Sequence, residues 1–162
     1  MKNKAVILDR DGVINKERGD YTFREEDFQI NEDLGISLQE LQEKGFLLII
    51  ISNQSGIAKS LYGHEDVMKL HKKTEAYLSR YKVNINALFY CPHHPDFSGY
   101  CLCRKPESLL YEKAVAQFDL DPQKSYVIGD KDRDIEPGKK LGFQVFKVAP
   151  NDSLKKILSL IG

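Results

Sequence analysis

Two aspartates, Asp9 and Asp11, stand two positions apart in the stretch LDRDGVIN, directly after an apolar run. In an extended chain, side chains two positions apart point the same way, so the two carboxylates lie side by side. They repel each other unless a cation lies between them or one of them is protonated. A cation-bound carboxylate can approach a phosphate, and a protonated one can donate to a leaving group. The alternative interpretation of this pair, taken alone, is a surface turn at Gly12.

The segment SNQSG, residues 52–56, follows the second apolar run and could bind an anion. Ser52 offers a hydroxyl, Asn53 offers an amide, and Gly56 lets backbone N–H groups face an anion. Taken alone, such a segment is more often an ordinary polar loop. Lys105 lies beyond the third run and could offset the charge of a phosphate held near carboxylates. A lone lysine, however, is normally a solvated surface residue.

The segment GDKDRD, residues 129–134, carries three aspartates after the fourth apolar run. Asp130, Asp132 and Asp134 could supply a hard oxygen ligand for Mg²⁺. For Asp134 we favour a role as the cap of the next helix, which we expect to begin at about this residue. Acid clusters are usually solvated loops, so this one is informative mainly because it follows a predicted strand.

All three cysteines fall within CPHHPDFSGYCLCRKP, residues 91–106. Three thiolates and one imidazole form a closed tetrahedral zinc site, and disulfides cannot pair all three cysteines. Buried free thiols are the alternative. The ligand candidates are Cys91, Cys101 and Cys103 with either His93 or His94. A closed site has no position for substrate, so we expect zinc to order a loop that lacks secondary structure of its own and that delivers Arg104 and Lys105.

Five apolar runs alternate with helical patterns and would position these residues. The strand candidates are residues 5–9, 47–52, 87–91, 125–129 and 143–148, all apolar throughout, as strands covered on both faces should be. Helical spacing covers residues 34–41, 67–81, 109–118, 134–142 and 154–161, with Pro106 in the first turn of the third helix. This alternation predicts an α/β fold, a three-layer Rossmann-like sandwich around a mainly parallel sheet. Ligands bind at the carboxyl ends of such strands, where the polar segments lie.

Length and composition argue against several classes of protein, including nucleic-acid-binding and membrane-spanning proteins. The 162 residues suit one domain, residues 1–162, and 24 basic against 24 acidic residues argue against a nucleic-acid partner. No apolar run reaches the roughly 18 residues of a membrane span. The chain enters a strand without a signal peptide. We therefore expect a cytoplasmic protein with no membrane partner, acting as a monomer.

The ordered set of segments resembles the haloacid dehalogenase (HAD) superfamily of phosphohydrolases over about residues 5–148. DRDG resembles its first motif, SNQ its second, Lys105 its third and GDKDRD its fourth. Three shorter motifs are similar to those of the D-glycero-D-manno-heptose-1,7-bisphosphate 7-phosphatases. They are NQSGIA, YCPHHP with CLCRKP, and GDK. The histidinol-phosphate phosphatases share the cysteine segment.

The resemblance implies a Mg²⁺-dependent phosphatase that acts through an aspartyl-phosphate on a small phosphorylated sugar. It makes Asp9 the nucleophile and Asp11 the general acid and base, with Lys105 offsetting the phosphoryl charge. It places Mg²⁺ on Asp9, the backbone carbonyl of Asp11, and Asp130. It assigns a structural Zn²⁺ to Cys91, His93, Cys101 and Cys103.

The resemblance also implies a set of substrate-binding residues. These are Ser52, Asn53, Gln54, Ser55, Arg104, Lys105 and Lys131. Arg104 and Lys131 would reach a second phosphate, and residues 17–21 would form another wall of the pocket. No segment is long enough for a cap domain, so the loops 53–66 and 91–106 must help to shape the site.

Three alternatives remain open from the sequence. The substrate could be histidinol phosphate or another small sugar phosphate. A phospho-accepting signalling domain would need an aspartate after the third strand, where Cys91 stands. A zinc-dependent interaction module with a degenerate site is the non-enzyme alternative.

Overall fold

A computed structural model describes all 162 residues, from Met1 to Gly162. Its sheet has five strands in the order β3-β2-β1-β4-β5, and every neighbouring pair is parallel. The strands are β1 (Ala5–Leu8), β2 (Leu47–Asn53), β3 (Ala87–Cys91), β4 (Tyr126–Gly129) and β5 (Gln144–Lys147). In the central register, Leu8 of β1 lies opposite Ile50 of β2 and Ile128 of β4. The predicted α/β fold is confirmed, with a sheet that is parallel throughout.

Six α-helices connect or flank the strands. They are α1 (Leu34–Glu43), α2 (His64–Ser79), α3 (Pro95–Ser98), α4 (Leu109–Phe118), α5 (Asp132–Leu141) and α6 (Lys155–Leu158). Two short 3₁₀ turns cover Glu25–Asp27 and Pro122–Lys124. None of the helices combines the length and apolar character needed to cross a membrane. No cap domain covers the carboxyl edge of the sheet.

Alternate side chains of the central strands pack into two separate hydrophobic cores, one on each face of the sheet. Leu48 and Ile50 pack into the core shared with α1, α2 and α6. Ile49 and Ile51 pack into the core shared with α4 and α5. Since side chains alternate along a strand, a strand covered on both faces must be apolar at every position. This explains the unbroken run LLIII and gives the three layers that the sequence predicts.

Two predictions about the segment between β3 and α4 are wrong. Pro106 does not begin a helix but lies in a turn, in which the Arg104 carbonyl accepts from the Glu107 N–H at 2.8 Å. The Lys105–Pro106 peptide is cis, and α4 begins only at Leu109. The cysteine segment, expected to lack secondary structure, contains the single turn α3. His94 caps this turn by accepting from the Asp96 N–H at 3.2 Å.

Candidate active site

A polar cavity opens at the carboxyl ends of the central strands. Its volume is about 480 Å³, and only two of its 17 lining residues are hydrophobic. Asp9 enters it from the end of β1, Asn53 from the end of β2, and Lys105 from the segment after β3. The sheet order reverses at β1, which is where parallel α/β sheets bind ligands. The cavity therefore suits a small charged ligand.

Three carboxylates converge beside this cavity. Asp9, Asp130 and Asp134 each place one oxygen within 4.8 Å of the others. Both oxygens of Asp130 are buried without a hydrogen-bond partner. Burying an ionised carboxylate without a partner is costly, and oxygen donors are what Mg²⁺ prefers. The donor set and the unpartnered Asp130 carboxylate therefore fit a magnesium ion.

Lys105 bridges two members of this acid cluster, Asp9 and Asp134. Its ammonium donates to Asp9 Oδ1 at 2.8 Å and to the Ile51 carbonyl at 2.9 Å, and lies 2.7 Å from Asp134 Oδ1. Only 2% of Lys105 is exposed. Burial raises the pKa of Asp9 to about 7, the Asp134 carboxylate adds to the rise, and the Lys105 ammonium opposes it. Burial and then Asp134 likewise raise the pKa of Asp130.

Asp11 does not join the acid cluster but sits in a separate set of donors. Its Oδ2 accepts from Arg10 Nε at 3.1 Å and Gln54 Nε2 at 3.2 Å. Its Oδ1 accepts from Arg10 Nη2 at 2.9 Å and Asn15 Nδ2 at 3.0 Å. Burial alone would raise the pKa of Asp11, but the Arg10 charge and these hydrogen bonds outweigh it and lower the pKa.

The sequence did not identify Arg10 as part of the site. It is only 5% exposed, and its Nη2 also donates to the Thr22 carbonyl at 2.8 Å. This second bond holds the segment after β1 against Asp11. A basic residue between two acids is the one signal that could have singled it out.

The structure separates the two later aspartates of GDKDRD. Asp132 is exposed and pairs with Lys147 at 2.8 Å, away from the acid cluster. Asp134 accepts from the Lys131 N–H at 3.0 Å, near the start of α5, which begins two residues before the predicted position. Its other oxygen faces Lys105. Asp134 therefore stabilises the first turn of α5 and also belongs to the acid cluster.

The four residues of SNQS occupy different positions around the cavity. Asn53, Gln54 and Ser55 line it, whereas Ser52 lies beneath and is 1% exposed. The Gln54 amide nitrogen donates to Ser52 Oγ at 2.8 Å, and its oxygen accepts from the Tyr62 hydroxyl at 2.6 Å. The Asn53 amide binds the backbone of Lys105. Both amide side chains are thus engaged within the protein.

Three cationic side chains also line the cavity, namely Arg104, Lys131 and Arg133. Lys131 lies 3.5 Å from Glu17, in the wall formed by residues 17–22. Arg133 is exposed and forms no ion pair. The sequence did not single out Arg133, although it occupies the first turn of α5, where the helix dipole disfavours a cation. That unfavourable position could have indicated a functional role.

The cysteine segment brings four metal-binding atoms together. Cys91, His93, Cys101 and Cys103 each place one donor atom within 4.8 Å of the others. Cys91 Sγ lies 3.6 Å from Cys101 Sγ and 3.0 Å from Cys103 Sγ, and His93 Nδ1 lies 3.2 Å from Cys103 Sγ. Zn–S bonds of about 2.3 Å separate tetrahedral sulfurs by about 3.8 Å, so the set is slightly contracted but fits zinc. His94 lines the active-site cavity instead.

Comparison with known proteins assigns the family. A family model described as HAD-hydrolase-like matches residues 102–157. The chain is 39% identical over 140 residues to a D-glycero-β-D-manno-heptose-1,7-bisphosphate 7-phosphatase of Haemophilus ducreyi, covering 83% of this chain and 76% of that protein. The chain belongs to the HAD-type heptose-bisphosphate phosphatase family. This phosphatase is also 37% identical over 146 residues to a D-glycero-α-D-manno-heptose-1,7-bisphosphate 7-phosphatase of Photorhabdus laumondii, covering 87% and 79% of the two chains.

A solved structure supports the same assignment. The D,D-heptose 1,7-bisphosphate phosphatase from B. bronchiseptica, complexed with magnesium and phosphate, matches this phosphatase with a TM-score of 0.85. The two are 28% identical, and the match covers 98% of this chain and 87% of that one. The predicted superfamily, fold and enzyme class are confirmed. The signalling-domain and interaction-module alternatives find no support among these relatives.

Proposed function

We propose that this phosphatase removes the 7-phosphate of D-glycero-D-manno-heptose 1,7-bisphosphate through a phosphoenzyme on Asp9. One observation carries the proposal. A single cavity brings Asp9 of the acid cluster and its partner Lys105 together with a set of cations, Arg104, Lys131 and Arg133, that the cluster does not use. A substrate with two phosphates would engage both. Among proteins of this family, relatives named for either anomer of the heptose bisphosphate are similar to the chain.

Asp9 and Asp11 divide the chemistry between them. A carboxylate oxygen of Asp9 forms a bond to phosphorus while the bond from phosphorus to the sugar oxygen breaks. The sugar oxygen takes its proton from Asp11. A water then attacks the phosphoryl group, Asp11 accepts the proton of that water, and the bond from phosphorus to Asp9 breaks to release phosphate.

The hydrogen bonds around Asp11 favour its ionised form, which is the base needed in the second half of the reaction. A phosphate dianion next to Asp11 favours the protonated form, because like charges repel. Substrate binding therefore prepares Asp11 to act as an acid, and loss of the leaving sugar prepares it to act as a base.

Asp9, Asp130 and the backbone carbonyl of Asp11 would hold Mg²⁺, with Asp134 beside them. When bound, Mg²⁺ supplies positive charge that offsets the carboxylates and the phosphoryl oxygens. Lys105 contributes a fixed positive charge to the same region because its buried pairing with Asp9 and Asp134 keeps it protonated. Asn53 and Ser55 line the same cavity and would bind the transferring phosphoryl group.

Zn²⁺ would occupy the Cys91, His93, Cys101 and Cys103 set in a structural role, since four protein ligands leave no position for substrate. These ligands must be reduced, and we place the enzyme in the cytoplasm, where thiols stay reduced. We propose that the enzyme acts as a monomer, since one chain supplies all of the residues proposed for catalysis.

The decisive experiment compares kcat/KM for heptose 1,7-bisphosphate, histidinol phosphate and fructose 1,6-bisphosphate, with Mg²⁺ present. We expect the heptose bisphosphate to have the highest value. A higher value for histidinol phosphate would replace the proposed substrate. In parallel, Asp9→Asn should abolish turnover and leave substrate binding largely intact, and hydrolysis that survives this substitution would reassign the nucleophile.

A further inference from the structure

The Tyr62 hydroxyl is connected to Asp11 through one side chain. It donates to Gln54 Oε1 at 2.6 Å, and Gln54 Nε2 donates to Asp11 Oδ2 at 3.2 Å. Gln54 is 2% exposed, and Tyr62 lines the cavity. The catalytic steps described above use Asp11 but assign nothing to Tyr62.

The orientation of the Gln54 amide follows from its two neighbours. An ionised carboxylate can only accept hydrogen bonds, so Asp11 requires the NH₂ end of the amide. The amide oxygen then points to Tyr62 and needs a donor, because an unpartnered buried acceptor is costly. Tyr62 supplies that donor and completes the hydrogen bonding of the amide.

Tyr62 is itself held in place by packing. Its ring stacks on Phe23 with centroids 5.0 Å apart and an interplanar angle of 13°. It also packs against Gly56, where an added Cβ would overlap the Tyr62 ring. Gly56 therefore makes room for the ring, a function that the sequence alone did not suggest. A ring fixed on two sides presents its hydroxyl in one position.

We propose that Tyr62 is a positioning residue that acts through Gln54 to hold the Asp11 carboxyl in the orientation needed for proton transfer to the leaving sugar oxygen. The inference rests on the proposed acid role of Asp11. Arg10 and Asn15 also bind Asp11, but both come from its own strand-end segment. Gln54 and Tyr62 come from the segment after β2 and fix Asp11 relative to the phosphoryl site.

The test uses Tyr62→Phe, which removes only the hydroxyl, in full-length protein with Mg²⁺ and Zn²⁺. Leaving-group release in the first turnover is measured by rapid quench with heptose 1,7-bisphosphate and with p-nitrophenyl phosphate. The sugar leaves as a strongly basic alkoxide and needs the proton from Asp11, whereas p-nitrophenolate is a weak base and leaves without it. We expect the sugar substrate to lose about tenfold in rate, the equivalent of one hydrogen bond of about 1.4 kcal/mol. The aryl substrate should change less than twofold, and KM should stay constant.

Two further variants sharpen the result. Gln54→Met breaks the same connection, so adding Tyr62→Phe to it should cause no further loss on the sugar substrate. Tyr126→Phe removes a buried tyrosine hydroxyl whose one hydrogen bond is from the Gly162 N–H at 3.5 Å, outside the cavity, and should change neither rate.

Equal losses on the two substrates, an effect on KM alone, or additive losses in the double variant would each overturn the role of Tyr62. The proposed substrate is tested separately by the unmodified enzyme. If that enzyme hydrolyses fructose 1,6-bisphosphate but not the heptose bisphosphate, the substrate assignment fails, and the comparison for Tyr62 is made with fructose 1,6-bisphosphate.

Discussion

Asn53 binds the backbone of Lys105 through both ends of its amide. Asn53 Oδ1 accepts from the Lys105 N–H at 3.0 Å, and Asn53 Nδ2 donates to the Lys105 carbonyl at 3.2 Å. Asn53 is the last residue of β2, so this contact fixes the segment after β3 to the sheet. The amide thereby sets the point from which the Lys105 side chain reaches Asp9.

Asn53→Ala should therefore lower kcat/KM by about 30-fold, the rate equivalent of about 2 kcal/mol for two hydrogen bonds. Asn86→Ala is the matched control, because Asn86 Oδ1 accepts from the Leu48 N–H at 2.8 Å in the same sheet, away from the cavity. We expect the control to lose stability in urea unfolding while keeping kcat/KM within twofold. Equal catalytic losses in both variants would mean that Asn53 only supports the fold.

Gly12→Ala should impair magnesium use specifically. A Cβ on Gly12 would lie 2.5 Å from Asp130 Oδ2, and the φ of +98° disfavours any side chain. Gly142 has a similar φ of +90° but open space around it, so Gly142→Ala reproduces the backbone strain without touching Asp130. Both variants should lose about 1 kcal/mol of stability. Only Gly12→Ala should raise the Mg²⁺ concentration for half-maximal activity, by at least tenfold, and an unchanged magnesium titration would contradict the proposed role of Asp130.

Arg133→Gln should weaken recognition of the second phosphate. The side chain has no ion-pair partner in the protein, so its loss should lower kcat/KM for the bisphosphate by about tenfold. The same variant should change kcat/KM for heptose 7-phosphate less than twofold. Arg80→Gln, at an exposed arginine outside the cavity, should leave both substrates unaffected. A similar loss on the two substrates would remove Arg133 from the second-phosphate site.

Removal of zinc should raise KM more than it lowers kcat. Arg104 is held through Nη1 by the carbonyl of the proposed ligand His93 at 3.4 Å, whereas Lys105 has buried partners of its own in Asp9 and Asp134. We expect chelation followed by Mg²⁺ replenishment to raise KM for the bisphosphate about tenfold and to lower Tm. Zinc re-addition should restore both. Zinc-free protein with unchanged KM would show that the loop needs no metal.

The sheet could be predicted from the sequence because its central strands are buried on both faces. The run LLIII is typical of a strand buried on both faces, and the helical spacing over residues 34–41 and 134–142 correctly located α1 and α5. The start of α4 was misplaced because a proline at position 106 is compatible with both a helix start and a turn. In the structure this segment forms the turn, in which the Arg104 carbonyl accepts from the Glu107 N–H.

Site residues could be predicted where the residue type itself determines the chemistry. They were harder to predict where the role of a residue depends on its tertiary contacts. The strand-end aspartates and the cysteine set stood out by spacing. The roles of Arg10, Tyr62 and Asp134 depend on tertiary contacts with the Thr22 carbonyl, the Gln54 amide and the Lys105 ammonium, respectively. The sequence gives no periodic signal for such contacts.

The position of Lys105 has a consequence for how the enzyme matures. Its ammonium connects Asp9, which follows β1, with Asp134, which lies beyond the end of the adjacent strand β4. Until β4 docks beside β1, this cation lacks the second carboxylate of its buried ion pairs. The nucleophile and its lysine should therefore reach their final arrangement only when the C-terminal part of the sheet docks, so phosphatase activity reports completion of the fold.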